Sequence, residues 1–322
     1  MPTAVIALAL SRSSIAGAVV CGDEALTATH RTVAPSAGID EIVDLALDSA
    51  TELRERSERL GRCPTAAGVV LPEADDAGGF TALAGECHWY GAPVRAWFEE
   101  HLDLPVTVGR DIRAGAWAEA RLGAGRGSRT ILYVPVNDRI PAVFVLHDRT
   151  PEESRVCVGD LGRLPTWARA AATGRSEPAE HLATPGALAR RYEAARGTAG
   201  LTALAVYRRA KEGDDAAARV WNEAMEAFAD ALASAVMVLN PSRVVLGGEL
   251  ADADEAYYLL LRQAVAERVQ EPPSPVIVPA QRGPQATLLG AALLTRGAPK
   301  DVEPLGGGPA LLAAVPSPPR TG

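Results

Sequence analysis

The residues best suited to chemistry in this chain are a carboxylate and a guanidinium side by side, Asp111 and Arg110. They lie between an apolar run, 104–108, that predicts a strand and an Ala-rich segment, 113–122, that predicts a helix. A carboxylate at this junction can take a proton from a ligand hydroxyl or cap the following helix, and both readings stay open. Arg110 only donates hydrogen bonds, so it suits an anion, or it pairs with Asp111 and lowers the basicity of that carboxylate.

Two polar turns interrupt apolar segments and are the other candidate ligand contacts. The first breaks the apolar run 5–20 and predicts a strand, a tight turn and a second strand. The second joins predicted strands at 130–136 and 142–146. The side chains of the first turn could hold an anion, but a plain polar hairpin is the interpretation we favour. The turn residues are Ser11, Arg12, Ser13 and Ser14 in the first, and Asn137, Asp138, Arg139, Ile140 and Pro141 in the second.

The remaining elements predict an α/β architecture with mixed sheets, because strands alternate with helices. Further strands are predicted at 66–71, 243–246 and 276–279. Helices are predicted at 39–60, 94–102, 185–195, 200–212, 214–239, 255–269 and 286–294. The segment 297–322 is rich in Pro and Gly and predicts a disordered tail.

Composition narrows the class of protein. The chain has 322 residues, enough for two domains, and a net charge of −8. That charge argues against a nucleic-acid or membrane surface as the main role, although it allows a small basic patch. No apolar run is long enough to span a bilayer and no signal-peptide pattern is complete, so we expect a cytoplasmic protein.

Three segments together resemble the ROK family of repressors, open reading frames and kinases. Residues 104–123 resemble the family's LPVVVENDANAAALAEARFG, residues 240–248 its NPEVVVLGG, and residues 283–292 its GDRAALLGAA. The order and spacing of the three carry the resemblance, which covers about residues 4–296.

The resemblance implies the fold of the actin and hexokinase superfamily, which is α/β with two actin-like (ribonuclease H-like) domains and an interdomain cleft. The first domain would span residues 1–112 and recruit the last helix, 285–297. The second would span 113–284, followed by a disordered tail at 298–322. A homodimer is also implied.

Family kinases transfer the γ-phosphate of ATP to a sugar hydroxyl, and the resemblance makes Asp111 the catalytic base. The family's first phosphate loop, D-x-G-G-T, corresponds here to residues 9–13. Ala9 replaces the acidic residue, Ser11 and Arg12 replace the two glycines, and Ser13 replaces the threonine. Its second loop, G-T-G-I-G, corresponds to residues 137–141, where every glycine is replaced. Glycines let backbone N–H groups approach a phosphate, so both loops are altered where ATP would bind.

The sugar and zinc positions have also changed. Gly85, Arg110, Asp160 and Arg163 stand where the family has Asn, Asn, Glu and His, and Glu180 corresponds to a glutamate that contacts sugar hydroxyls. The family's zinc cysteines are absent and an arginine cannot ligate zinc, so we expect no metal. The glycines on the adenosine side, Gly247, Gly248 and Gly290, are kept, although close backbone packing explains them equally well.

Three functions remain open: a pseudokinase acting as small-molecule sensor or partner-binding protein, an active ATP- and Mg²⁺-dependent carbohydrate kinase with atypical loops, and an enzyme of different chemistry in the same cleft. The losses in the loops favour the first, with no cofactor. Arg12, Arg110 and Arg163 at cleft positions suggest an anionic ligand such as a sugar phosphate. Direct nucleic-acid binding is not expected, because the chain begins in the first strand without the winged helix of family repressors.

Overall fold

The computed structural model describes residues 3–11, 13–72, 93–147, 154–169, 173–197, 199–270, 274–297 and 300–301. Its first sheet has five strands in the order β3-β2-β1-β4-β5. The strands are β1 (Ala4–Leu10), β2 (Ser14–Cys21), β3 (Glu24–Thr32), β4 (Pro64–Leu71) and β5 (Val106–Arg110). The first three pair antiparallel, whereas β1, β4 and β5 are parallel. The carboxyl ends of β1, β4 and β5 therefore meet at one edge, which carries the first polar turn and Asp111.

The second sheet has six strands in the order β12-β11-β6-β7-β8-β13. They are β6 (Thr130–Val136), β7 (Pro141–Leu146), β8 (Arg155–Asp160), β11 (Arg243–Gly248), β12 (Val276–Pro279) and β13 (Lys300–Asp301). A separate pair consists of β9 (Pro165–Thr166) and β10 (Glu177–Pro178). Since β6 and β11 are parallel, their carboxyl ends bring the second polar turn next to Gly247 and Gly248.

Nine helices have bounds given by the described residues. They are α1 (Ile39–Arg59), α2 (Val94–Leu102), α3 (Asp111–Leu122), α4 (Glu180–Ala183), α5 (Pro185–Arg196), α6 (Ala203–Lys211), α7 (Asp215–Leu239), α8 (Glu255–Val269) and α9 (Ala286–Leu294). Asp214 caps α7 by accepting hydrogen bonds from the N–H groups of Ala216 and Ala217. Hydrogen bonds from Tyr192, Arg196 and these amides hold the pKa of the Asp214 carboxyl well below its usual value.

Buried side chains form three layers of core around the two sheets. Helices α1 and α2 cover the outer face of the first sheet, and α7 and α8 cover the outer face of the second. Helices α3 and α9 lie between the sheets, where Val5 and Ala7 of the first sheet share a core with Tyr133 and Val245 of the second. The last helix therefore packs on the first sheet although it follows the second in sequence.

The predicted elements are largely confirmed, and the differences have physical causes. Strands β3 and β8 and the short β9–β10 pair were not predicted. Strand β3 was missed because most of its side chains are exposed and its sequence lacks an apolar alternation. Strand β5 ends at Arg110 and α3 begins at Asp111, two residues later and two earlier than predicted. Lys300–Asp301 pairs with β8 inside the segment predicted as a disordered tail, and 302–322 lies outside the described residues. No helix within the described ranges is both long and apolar enough to cross a membrane.

Candidate active-site cleft

Asp111 is the first residue of α3 and is half-buried at the edge where β5 ends. Its Oδ1 accepts a hydrogen bond from the backbone N–H of Ile112 at 2.6 Å. Burial, and then the negative charges of Glu119 and Asp111, raise the pKa of the Tyr133 hydroxyl above its usual value. Asp111 therefore lies near enough to Tyr133 for its charge to act on that hydroxyl.

Arg110 precedes Asp111 as the last residue of β5 and is also half-buried. Its Nε atom is buried and has no hydrogen-bond partner among the described residues. Arg110 thus presents a desolvated donor, which is costly unless an acceptor satisfies it.

The first polar turn is stabilised by hydrogen bonds between its own residues. The Ser11 N–H donates to the Ser14 carbonyl at 2.9 Å, and the Ser14 N–H donates to Ser11 Oγ at 3.0 Å. The carbonyl of Ser13 accepts from the Val33 N–H at 2.9 Å. The amides of Ser11 and Ser14 are therefore used inside the turn, as expected for a polar hairpin. Arg12 lies outside the described residues.

The second polar turn is held by an ion pair that sequence reasoning missed. Arg139 forms a salt bridge with Asp160, because the β7–β8 register places Pro141 opposite Asp160. Within the turn the Asn137 N–H donates to the Arg139 carbonyl at 3.1 Å, while Asp138 is exposed. The opposite charges at positions 139 and 160 were the only sequence signal of this pair, and no local pattern links them.

The carboxylates of Asp160 and Glu180, both predicted as ligand contacts, lie next to the same residue, Gly162. A Cβ atom at Gly162 would lie 2.9 Å from Glu180 Oε2 and 3.3 Å from Asp160 Oδ1. Asp160 Oδ1 is buried and has no hydrogen-bond partner within the described part of the chain. Arg163 follows Gly162 in the short 3₁₀ helix Leu161–Arg163 and is exposed. The two carboxylates are thus brought together, whereas Gly85 lies outside the described residues.

The adenosine-side glycines are packed against neighbouring atoms. A Cβ at Gly247 would lie 2.9 Å from the Tyr133 hydroxyl oxygen, and one at Gly248 would lie 2.0 Å from the Val136 carbonyl oxygen. Gly248 also has φ +87°, which disfavours other residues. A Cβ at Gly290 would lie 1.9 Å from the Ala114 carbonyl oxygen. Close packing therefore accounts for all three glycines. Tyr133, a further residue that sequence reasoning did not single out, fills the space in front of Gly247.

Within the described residues no group of three or more His, Cys, Asp or Glu side chains is arranged to hold a metal ion. Arg110 and Asp111 thus lie at the edge of the first sheet, and Arg139, Asp160 and Glu180 lie close together beside the second. That the two groups face one interdomain cleft stays a prediction.

A family model described as "ROK family" matches residues 5–298 of the chain. The glucokinase of Streptomyces coelicolor is 24% identical over 312 residues, which is 90% of this chain and 97% of the relative. The bifunctional enzyme NanE/NanK of Brucella melitensis is 31% identical over 191 residues, 59% of this chain and 35% of the relative. The matched part thus spans about a third of the length of the first curated relatives.

Solved structures agree on the fold. The ROK hexokinase from Thermus thermophilus superimposes with a TM-score of 0.71 at 29% identity, covering 90% of this chain and 97% of that one. A ROK transcriptional regulator, a homolog of the E. coli MLC protein, gives a TM-score of 0.76 at 19% identity, covering 92% and 78%. The predicted fold class is confirmed: the chain has two actin-like α/β domains. The boundaries proposed for them, 1–112 with 285–297 and 113–284, stay a prediction.

Proposed function

Because the chain belongs to the ROK family and is sugar-kinase-like, we propose that it is a pseudokinase, which binds a small molecule in the cleft and acts as a sensor or partner-binding protein without using ATP. No nucleotide, Mg²⁺ or zinc takes part in this role. The proposal rests on the state of the two turns that would have to receive the phosphates of ATP.

The observation that carries the proposal is that backbone N–H groups in both turns are already bonded inside the turn. Phosphoryl transfer depends on preorganised donors and Mg²⁺ around the phosphates. In the first turn the N–H groups of Ser11 and Ser14 are consumed by internal hydrogen bonds. In the second, the Asn137 N–H is bonded within the turn, and Pro141 has no N–H at all. A phosphate could use these N–H groups only by breaking the contacts that they already make.

Charge in the second turn opposes ATP as well. The exposed carboxylate of Asp138 would repel a triphosphate. The cation beside it, Arg139, is held by Asp160. Releasing Arg139 to a phosphate would leave Asp160 half-buried without its counter-charge, which is costly. At the first turn, Ala9 supplies no carboxylate for Mg²⁺.

The ligand of the cleft is proposed to be anionic. The buried Nε of Arg110 lacks an acceptor among the described residues, and a planar carboxylate or phosphate fits a guanidinium. The residues Asp111, Asp160 and Glu180 would then contact hydroxyl groups of the same molecule. A sugar phosphate or sugar acid combines both requirements.

An active carbohydrate kinase is the second candidate, because Asp111 lies at the start of α3, directly after β5, and a carboxylate there could take a proton from a substrate hydroxyl. The similarity to proteins named glucokinase and hexokinase also supports this candidate.

Titration calorimetry separates the two candidates. We expect no measurable ATP–Mg²⁺ binding up to millimolar nucleotide and no ATP turnover with glucose or N-acetylmannosamine, because several charge-assisted contacts of about 1.5–3 kcal/mol each are missing. The Streptomyces coelicolor glucokinase serves as the active control, and metal analysis of the same sample should find well under one zinc per chain. Sugar-dependent turnover that Asp111→Asn abolishes would establish the kinase instead.

A thermal-shift comparison tests the anionic ligand. Glucose 6-phosphate at low salt should raise the melting temperature, whereas glucose should not, because only the phosphate pairs with Arg110. Arg110→Ala should remove the shift, and Arg59→Ala, at the exposed end of α1 and distant in sequence from every candidate site residue, should keep it. Stabilisation by glucose alone, or an unchanged shift in Arg110→Ala, contradicts an anion at this position.

A further inference from the structure

A second cavity lies outside the cleft, at the carboxyl end of α3. Its volume is about 510 Å³. The walls come from the last turn of α3, the loop before β6, the end of β7, the loop before α9 and the end of α9, and the β2–β3 turn closes one side. Asp111 is at the opposite end of α3, about 16 Å away at the rise of an α-helix. This cavity is therefore separate from the site of the proposed function.

The cavity is strongly positive in a chain that is acidic overall. Its lining includes four arginines and a single carboxylate, that of Asp23, whereas the whole chain has a net charge of −8. The arginines are Arg121, Arg126, Arg282 and Arg296. They come from segments far apart in sequence, so the fold rather than a local basic run gathers them.

Two of the arginines are fixed by backbone carbonyls. Arg282 donates from Nε and Nη2 to the Leu122 carbonyl at 2.9 and 2.6 Å, and Arg296 donates from Nη1 to the Gly22 carbonyl at 2.9 Å. The partial negative charge at the carboxyl end of α3 explains why Arg282 lies there. Both guanidinium groups are held in place before any ligand arrives, which reduces the ordering cost of binding.

Arg121 and Arg126 form no comparable hydrogen bonds to backbone carbonyls within the described part of the chain. Arg121 stacks over the ring of buried Trp117, with 5.6 Å between its guanidinium carbon and the ring centroid, and Arg126 is exposed. Among the described residues no carboxylate forms an ion pair with any of the four arginines. Four like charges around one cavity repel each other, and a bound anion would relieve that repulsion.

We propose that this cavity binds a small molecule carrying a diphosphate or polyphosphate group. Several phosphate oxygens are needed to meet several guanidinium groups at once, so a singly charged carboxylate fits less well. The Trp117 and Arg121 pair forms one wall, and a volume of 510 Å³ admits a compact phosphorylated metabolite. Because the lining combines Asp23 and Arg296 beside the first sheet with Arg126 and His147 beside the second, the ligand connects the two domains.

Calorimetry with inorganic pyrophosphate at low ionic strength tests the site. We expect one molecule bound per chain, with affinity that falls as salt is added. Arg126→Gln should weaken binding about tenfold or more, since a charge-assisted hydrogen bond is lost. Arg121→Gln should do the same. Arg126 is exposed and Arg121 is half-buried, and glutamine keeps most of the aliphatic part of either side chain, so these variants should keep their melting temperature, which is measured in parallel.

The matched control is Arg129→Gln, three residues away, exposed and outside the cavity lining. It should bind pyrophosphate as the unmodified protein does. Arg110→Ala, which removes the anion donor proposed for the cleft, should retain the site that Arg121→Gln and Arg126→Gln weaken. Absence of pyrophosphate binding overturns the proposal. So does equal loss in Arg129→Gln, which indicates unspecific attraction, or loss in Arg110→Ala alone, which assigns the anion to the cleft.

Discussion

Replacing Glu119 with alanine should lower the free energy of unfolding by about 3–5 kcal/mol, although Glu119 touches no candidate ligand. Its side chain is fully buried in α3. Oε2 accepts hydrogen bonds from the N–H groups of Ala124 at 2.8 Å and Gln281 at 3.1 Å, and Oε1 accepts from the Arg282 N–H at 2.6 Å. The substitution leaves three amides without an acceptor and opens a cavity.

Thermal unfolding measures this effect, and the expected drop in melting temperature is on the order of 10 °C. Glu119→Gln should fall between the alanine variant and the unmodified protein, since its amide oxygen keeps part of the contacts and its NH₂ group faces a donor. Glu193→Ala, at an exposed position of α5, should change stability by no more than about 0.5 kcal/mol. Equal melting temperatures for Glu119→Ala and Glu193→Ala would refute the role assigned to Glu119.

Gly290→Ala should cost about 3 kcal/mol, at the upper end of the range for overpacking, because the obstacle is backbone. The new Cβ would lie 1.9 Å from the Ala114 carbonyl oxygen and 2.3 Å from its carbonyl carbon. Neither atom can rotate away, so α3 and α9 have to separate. α9 also presses on the first sheet, where a Cβ at Gly68 would lie 2.2 Å from the Ala291 carbonyl oxygen.

Gly186→Ala is the matched control for this substitution. Gly186 also lies in a helix, α5, but its Cβ would meet only the flexible end of Arg190 at 3.1 Å. There the alanine should be neutral or stabilise by about 0.5–1 kcal/mol, because it restricts the unfolded chain. Chemical denaturation of both variants measures the two changes in the free energy of unfolding. Similar stability for the two would mean that the contact between α3 and α9 tolerates a methyl group and that close packing does not explain Gly290.

Much of the architecture was predictable from local pattern. Helices α2, α8 and α9 have the predicted bounds. Each is rich in apolar residues that become buried, and this marks the segment as an ordered element even where no single apolar face stands out. Strand β3 escaped prediction because it lies at a sheet edge with exposed side chains. An edge strand is stabilised by backbone pairing with its one neighbour, which leaves no hydrophobic signature.

The sequence by itself determined what the two turns lack. The residue at a position fixes whether its backbone reaches positive φ cheaply, whether it has an N–H, and whether it carries a carboxylate. Ala9, Ser11 and Pro141 therefore predict altered phosphate loops without any coordinates.

Only the tertiary structure decided which side chains meet. Arg139 and Asp160 pair through strand register, and Tyr133 fills the space before Gly247. Four arginines from α3, two separate loops and the residues just after α9 surround one cavity. Such contacts join residues distant in sequence, and their energies depend on burial and geometry that no local pattern encodes.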